Sequence, residues 1–166
     1  MIASDTGSAS TVAADASTVA VFQQDWKLYR KMVDNNFLFH REAYGQLHRV
    51  LNDGMARPFR FVDIACGDAS ASAGALEGTR ISHYHGIDFS AAALDIASKT
   101  LKVLDCPVTL EKRDFLEAIV DWKQVVDVAW IGLSLHHLLT PEKLAFMRNV
   151  RKILALGGMF LIYENT

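Results

Sequence analysis

From Val19 onward the apolar positions fall into two periods, and the switches between them outline a fold. Phe22, Trp26, Tyr29 and Val33 recur three to four positions apart, and Phe37, Tyr44, Leu47 and Leu51 continue that helical spacing. Asn35-Asn36 breaks the pattern into two helices, and Gly54 with Pro58 ends the second. After Pro58 short apolar runs alternate with helical patterns. Phe59 to Ala65 reads as a buried strand, Ser70 to Leu76 as a small-residue helix, and Ile81 to Ile87 as a second strand. Ser90 can cap an alanine-rich helix that runs to about Leu104. Pro107 to Glu111, Phe115 to Val120 and Val125 to Leu133 then predict a third strand, a short helix and a long buried fourth strand. Thr140-Pro141-Glu142 offers a capping hydroxyl, a proline in the first turn and an acid at the positive end of a helix dipole. That helix is expected to bury Leu144, Met147, Val150 and Leu154 and to stop at Gly157-Gly158, before a fifth strand from Met159 to Tyr163. Strands alternating with helices predict an α/β sandwich of three layers around a mostly parallel sheet, with two helices ahead of it.

Composition narrows this picture without redirecting it. The chain has 166 residues, room for one domain, and 51% of them are apolar, enough for a core. Residues 1–18 are small, polar and without period, and are expected to form a disordered tail. The remainder divides into a helical cap over 19–57 and a core over 58–166. A net charge of −2 gives no basic surface for nucleic acid, and no apolar run is long enough to span a membrane. Two cysteines, Cys66 and Cys106, make no disulfide framework, and no Cys/His cluster has metal spacing. A cytoplasmic protein without a resident metal is the expectation.

The candidate chemistry lies where predicted strands end, since the carboxyl edge of an open α/β sheet is where ligands bind. Asp63-Ile64-Ala65-Cys66-Gly67-Asp68-Ala69 carries an apolar strand into small residues and then a helix, which lets a ligand approach bare backbone. A single glycine also serves any strand-to-helix turn, so this stretch alone decides little. Asp88, 25 positions after Asp63, ends the second strand where an acid can accept bonds from both hydroxyls of a ribose. Ser90 is better placed than Asp88 to cap the helix that follows. Asp114 and Phe115 follow the third strand, where an acid could bind an exocyclic amine and a ring could stack. Leu133-Ser134-Leu135-His136-His137 follows the fourth strand; a neutral histidine there could orient an acceptor or take its proton, or serve structurally by bonding nearby backbone.

These four stretches, in this order and spacing, resemble the class I S-adenosylmethionine-dependent methyltransferases, in particular the small-molecule type with an Asp-x-Gly-x-Gly-x-Gly loop. The resemblance covers about Pro58 to Thr166, and the two preceding helices look like that family's cap. It implies a Rossmann-like fold, S-adenosylmethionine as cofactor and a small-molecule methyl acceptor. By that likeness Asp63, Ala65, Cys66 and Gly67 line the methionine part, Asp88 holds the ribose, and Phe89, Asp114 and Phe115 meet the adenine. Leu133 approaches the methyl, and His136 or His137 orients or deprotonates the acceptor. The loop departs from the pattern in reading Asp63-x-Ala65-x-Gly67-x-Ala69. Alanine disfavours positive φ, so binding is expected to require ordinary backbone angles at those two positions.

Two other readings stand beside the methyltransferase. A methyltransferase-like domain could bind a nucleoside or a partner without catalysis. A nicotinamide-dependent oxidoreductase fits less well, because Asp68 stands where a pyrophosphate would sit and no Gly-x-Gly-x-x-Gly is present. Such folds usually continue past the fifth strand with an antiparallel hairpin, and the sequence shows none. The apolar edge of that strand is therefore expected to invite self-association.

Overall fold

The computed structural model describes residues 31–33 and 35–164. The predicted tail over 1–18, and most of the first predicted helix, lie outside them. The chain divides into two compact units, Met1–Leu38 and Phe39–Thr166. In the first, residues 31–33 are helical and 35–38 form a turn, with Asn36 at φ 55°.

The second unit is a five-stranded, wholly parallel sheet in the order β3-β2-β1-β4-β5. Its elements in chain order are α1 (His40–Gly54), β1 (Phe59–Ile64), α2 (Ser70–Leu76), β2 (Ile81–Asp88), α3 (Ala91–Thr100), β3 (Val108–Lys112), α4 (Phe115–Asp121), β4 (Val126–Gly132), α5 (Thr140–Ile153) and β5 (Leu154–Tyr163). Single 3₁₀ turns cover Leu101–Val103 and Leu135–His137. This is the Rossmann-like three-layer arrangement. The predicted second cap helix, α1, belongs to the same compact unit as the sheet.

The period of two along the central strands sorts their side chains into two cores. Phe61 of β1 with Val128 and Trp130 of β4 meets Leu47 and Leu51 of α1, Leu76 of α2, and Tyr84. Val62 and Ile64, with Ala129 and Ile131, meet Ile119 of α4 and Phe146, Val150 and Ile153 of α5. Strands covered on both faces must be mostly apolar, and β4 is so apart from Asp127, while β1 also admits Arg60 and the buried Asp63. The residues of α2, Ser-Ala-Ser-Ala-Gly-Ala-Leu, are small enough for a close approach to that core, and Ser72, Ala73, Ala75 and Leu76 are buried.

Three local expectations give way near the end of the chain. The buried face of α5 is Phe146, Val150 and Ile153, whereas Leu144 and Met147 face solvent. The sequence spacing suited either stripe; the larger Phe146, which packs edge-on against Phe115 and Phe160, took the core position. Leu139 rather than Thr140 stands at the helix boundary, and the Glu142 carboxylate accepts the Leu139 N–H at 2.7 Å. The helix also passes directly into β5 at Leu154 instead of stopping at the glycines. Val126 pairs with Leu154 and Val128 with Met159, so extra residues bulge from β5. Gly157 turns that bulge at φ +79°, and a Cβ on Gly158 would lie 3.0 Å from the carbonyl oxygens of Ala155 and Asp127. The glycines serve a strand bulge, which their position after a helix disguised.

Candidate active site

The carboxyl ends of β1, β2 and β4 meet where the strand order reverses, between β1 and β4, and the predicted residues gather along that edge. The loop after β1 is fastened to β2: the Cys66 N–H donates to the Ile87 carbonyl and the Ala69 N–H to the Cys66 carbonyl, both at 3.0 Å. Within it Ala65, Gly67 and Ala69 take φ 58°, 55° and 54°. The ordinary backbone angles at Ala65 and Ala69, on which binding was expected to depend, are not what the loop adopts. Both alanines adopt the left-handed backbone that glycine takes without strain, at a cost of about 1 kcal/mol or more each.

Asp88 closes this half of the edge. One carboxylate oxygen accepts the Gly67 N–H and the other the Ser90 N–H, each at 2.8 Å, and the residue is 7% exposed. Ser90 caps α3 by accepting the Ala93 N–H, so Asp88 and Ser90 divide the work at the helix start. Asp63 lies deeper than the crevice surface. It is 2% exposed and accepts the Tyr84 hydroxyl at 2.7 Å. Burial pushes its carboxyl up to about 6, against hydrogen bonds from Ser72 and Tyr84 that favour the charge. The Cys66 thiol is raised by burial and by the two acids beside it, Asp63 and Asp88. Its sulfur would stand 2.9 Å from a Cβ on Gly86, which is why β2 carries a glycine there. Asp68 accepts the Ser70 N–H at 3.0 Å, so an acid occupies the mouth of α2.

The next residues along the edge divide. Phe89 is 69% exposed beside Asp88. Asp114 caps α4 by accepting the Leu116 N–H at 2.7 Å, and Phe115 turns toward Phe146 with ring centroids 5.3 Å apart. The Phe115 ring is thus partly spent on the core.

After β4, Leu133 sits at φ 52°, and its N–H donates to the Tyr163 carbonyl at 2.7 Å. The 3₁₀ turn that follows presents both histidines to solvent, their rings 4.1 Å apart. His136 Nδ1 lies 2.7 Å from Glu164 Oε1, and the His136 backbone N–H donates to Glu164 Oε2 at 3.2 Å. Glu164 was missed in the sequence, although an acid just past a strand is the feature that singled out Asp88 and Asp114. Beside this turn Trp130 packs against Tyr44 and Tyr163 with centroids 5.3 and 6.4 Å away. The buried Trp130 Nε1 has no hydrogen-bond partner among the described residues. Gly132 leaves room there: a Cβ would lie 3.2 Å from the Tyr44 hydroxyl and 3.5 Å from Trp130 Nε1. Among the described residues no three His, Cys, Asp or Glu side chains cluster to hold a metal, and no helix is long and apolar enough to cross a membrane.

Residues 62–160 match the family model described as a methyltransferase domain. A demethylmenaquinone methyltransferase of Leptospira interrogans is 28% identical over 143 residues, which cover 84% of this chain and 57% of that protein. A carboxy-S-adenosyl-L-methionine synthase of Yersinia pseudotuberculosis is 23% identical over 107 residues, 63% of this chain and 44% of the relative. The chain thus spans about half the length of these relatives. Among solved structures, the sugar N-methyltransferase KedS8 of a Streptoalloteichus species superposes with a TM-score of 0.63 at 18% identity, over 99% of this chain and 60% of that one.

Proposed function

This chain belongs to the methyltransferase-domain family, and from that premise we propose that it transfers a methyl group from S-adenosylmethionine to a small-molecule acceptor. The observation that carries the reading is the buried Asp88 carboxylate, held by the Gly67 and Ser90 amides at the end of β2. Two backbone N–H groups fix its direction, and each oxygen keeps a lone pair for a ribose hydroxyl. The acid at the mouth of α2, Asp68, suits a ligand without phosphate groups. The loop after β1 would hold the methionine part along its backbone. Phe89 and Asp114 would meet the adenine, with a smaller share for Phe115 because its ring already leans on Phe146.

When bound, S-adenosylmethionine supplies an electrophilic methyl on a sulfonium, a reaction that asks the protein chiefly for alignment and dryness. His136 and His137, on the turn after Leu133, stand where an acceptor would approach and would orient it or take its proton. The names of the relatives support a small acceptor: one acts on a sugar nitrogen, another on demethylmenaquinone.

Calorimetric titration with S-adenosylmethionine, S-adenosylhomocysteine and NAD tests the cofactor. We expect the first two to bind at least about a hundredfold more tightly than NAD; the reverse order sinks the reading. Transfer of labelled methyl to a panel of small hydroxyl and amine acceptors tests the reaction. A cytoplasmic setting belongs to the same proposal, supported by the free thiols of Cys66 and Cys106. So does self-association through β5, which pairs only with β4 among the described residues. Sedimentation at several concentrations checks it, and a monomer throughout counts against it.

A further inference from the structure

Glu164 is a charged group at the crevice that neither cofactor binding nor acceptor binding uses. It follows β5 directly, 28 residues from His136 in sequence, yet its two carboxylate oxygens reach the ring and the backbone N–H of that one histidine. We propose that Glu164 is a positioning residue that selects His136, and not His137, as the group that takes the acceptor's proton. This rests on the methyltransferase reading above.

A carboxylate offers only lone pairs, so the 2.7 Å contact from Glu164 Oε1 requires the proton of a neutral His136 to sit on Nδ1. Nε2 is then the basic nitrogen. The bond from the backbone N–H to Oε2 grips the same residue a second time and removes a rotation that the ring contact alone would leave. The Leu133 N–H on the Tyr163 carbonyl fastens the β4 exit to the end of β5 just before this pair, so both partners start from one anchored point. The burial is uneven in a useful direction. The Glu164 side chain is 19% exposed, while His136 is 48% exposed, so the acid is the better shielded of the two and the ring stays accessible. His137 makes ring contact with His136 but has no carboxylate partner among the described residues. In the reaction the acceptor's proton passes to His136 Nε2, and the electron pair it leaves behind takes the methyl carbon. The sulfur keeps the pair of the broken bond, leaving S-adenosylhomocysteine. The imidazolium formed lies against a carboxylate at hydrogen-bond distance, where a charge-assisted bond is strongest.

Nitrogen-15 spectra of the full chain labelled in histidine, with S-adenosylhomocysteine bound, read the tautomer directly. The expected result is His136 protonated on Nδ1 and bare on Nε2 at neutral pH, changing to a mixture of tautomers in Glu164→Ala. S-adenosylhomocysteine affinity of that variant should stay within about twofold, while turnover of an acceptor found in the methyl-transfer panel falls at least about tenfold. Glu164→Asp, whose shorter arm breaks one of the two contacts, should fall between. A wild-type His136 protonated on Nε2, or an unchanged spectrum in Glu164→Ala, overturns the positioning role whatever the activity. If the tautomer changes as expected but His136→Ala turns over at the wild-type rate, the catalytic reading of the histidine fails instead, and the two failures remain distinct.

Discussion

The two halves of the crevice edge are built from different materials. On the β1–β2 side the links are backbone amides: Gly67 and Ser90 close on the buried Asp88 carboxylate, and Cys66 on the Ile87 carbonyl. On the β4–β5 side the proposed acceptor-facing groups are exposed rings, with the Glu164 side chain on His136 as the main tie. In the first half Asp88, the proposed ribose-binding group, is also a structural one, since it accepts two backbone amides. In the second the proposed catalytic histidines are exposed, so they can be exchanged while the sheet beneath stays intact. On the proposed roles, binding and folding are joined on one side, and binding and catalysis are separable on the other.

The sharpest way to break that contrast is Asp88→Ala. It leaves two amides at the crevice without acceptors, each worth about 1–3 kcal/mol when buried and unpaired. We expect a stability loss of about 3 kcal/mol by chemical denaturation, together with at least about a thirtyfold loss of S-adenosylhomocysteine affinity in the folded fraction. Loss of affinity with stability unchanged would mean that the acid serves the ligand alone. On the other side, His136→Ala should lower turnover about a hundredfold while stability and cofactor affinity hold. His137→Ala should do much less. Equal effects of the two histidine variants on stability would place the pair in the structural half.

The pH dependence of stability separates the halves further. Asp63 has its carboxyl raised to about 6 in the folded state, so its contribution is present below about 3.8 and is lost as pH climbs through 6. His85, beside Trp122 and Glu111, is lowered by burial. Its contribution has the opposite sign: present above about 6.5 and lost as pH falls. Between pH 6 and 4 the two oppose each other. Asp63→Asn removes one of them and spares the folded state a buried charge. The variant should gain about 1–2 kcal/mol at pH 8, where the net shift, with the Tyr84 and Ser72 bonds already in it, is worth roughly 3 and burial of the asparagine amide offsets part. It should also lose stability more steeply than the parent on acidification. Parallel curves for the two proteins from pH 8 to 4 would show that Asp63 ionises freely.

How much of this was legible beforehand follows the same division. The elements around Asp63 and Asp88 stand in the sequence because the signals are local: an apolar run, small residues, an acid at a strand end, a serine cap. The α2 and β2 boundaries were readable for that reason. The β4–β5 half depends on register, which no local pattern supplies. A bulge at Gly157 and Gly158 sets which residue of β5 stands opposite Gly132, and so decides that Glu164 reaches His136. The buried face of α5 was misread for a related cause. Phe146 and Leu144 both fit a helical stripe, and only the depth of the neighbouring core, with Phe115 and Phe160 already in it, chooses between them.

The smallest effect concerns the two alanines of the loop, where strain and burial can be weighed against each other. Both sit near φ +55°, and exchanging alanine for glycine at such an angle should return about 1 kcal/mol of backbone strain. Ala65 is half-buried, so its methyl contributes little, and Ala65→Gly should stabilise the protein by about 0.5–1 kcal/mol. Ala69 is 2% exposed and its methyl packs in the core beneath α2, where one buried carbon is worth about 0.8 kcal/mol. In Ala69→Gly the relief and the loss should nearly cancel. Chemical denaturation of both variants reads the difference. Equal stabilisation at the two positions would show that the methyl of Ala69 is not packed, and destabilisation at Ala65 would show that the left-handed angle there costs nothing.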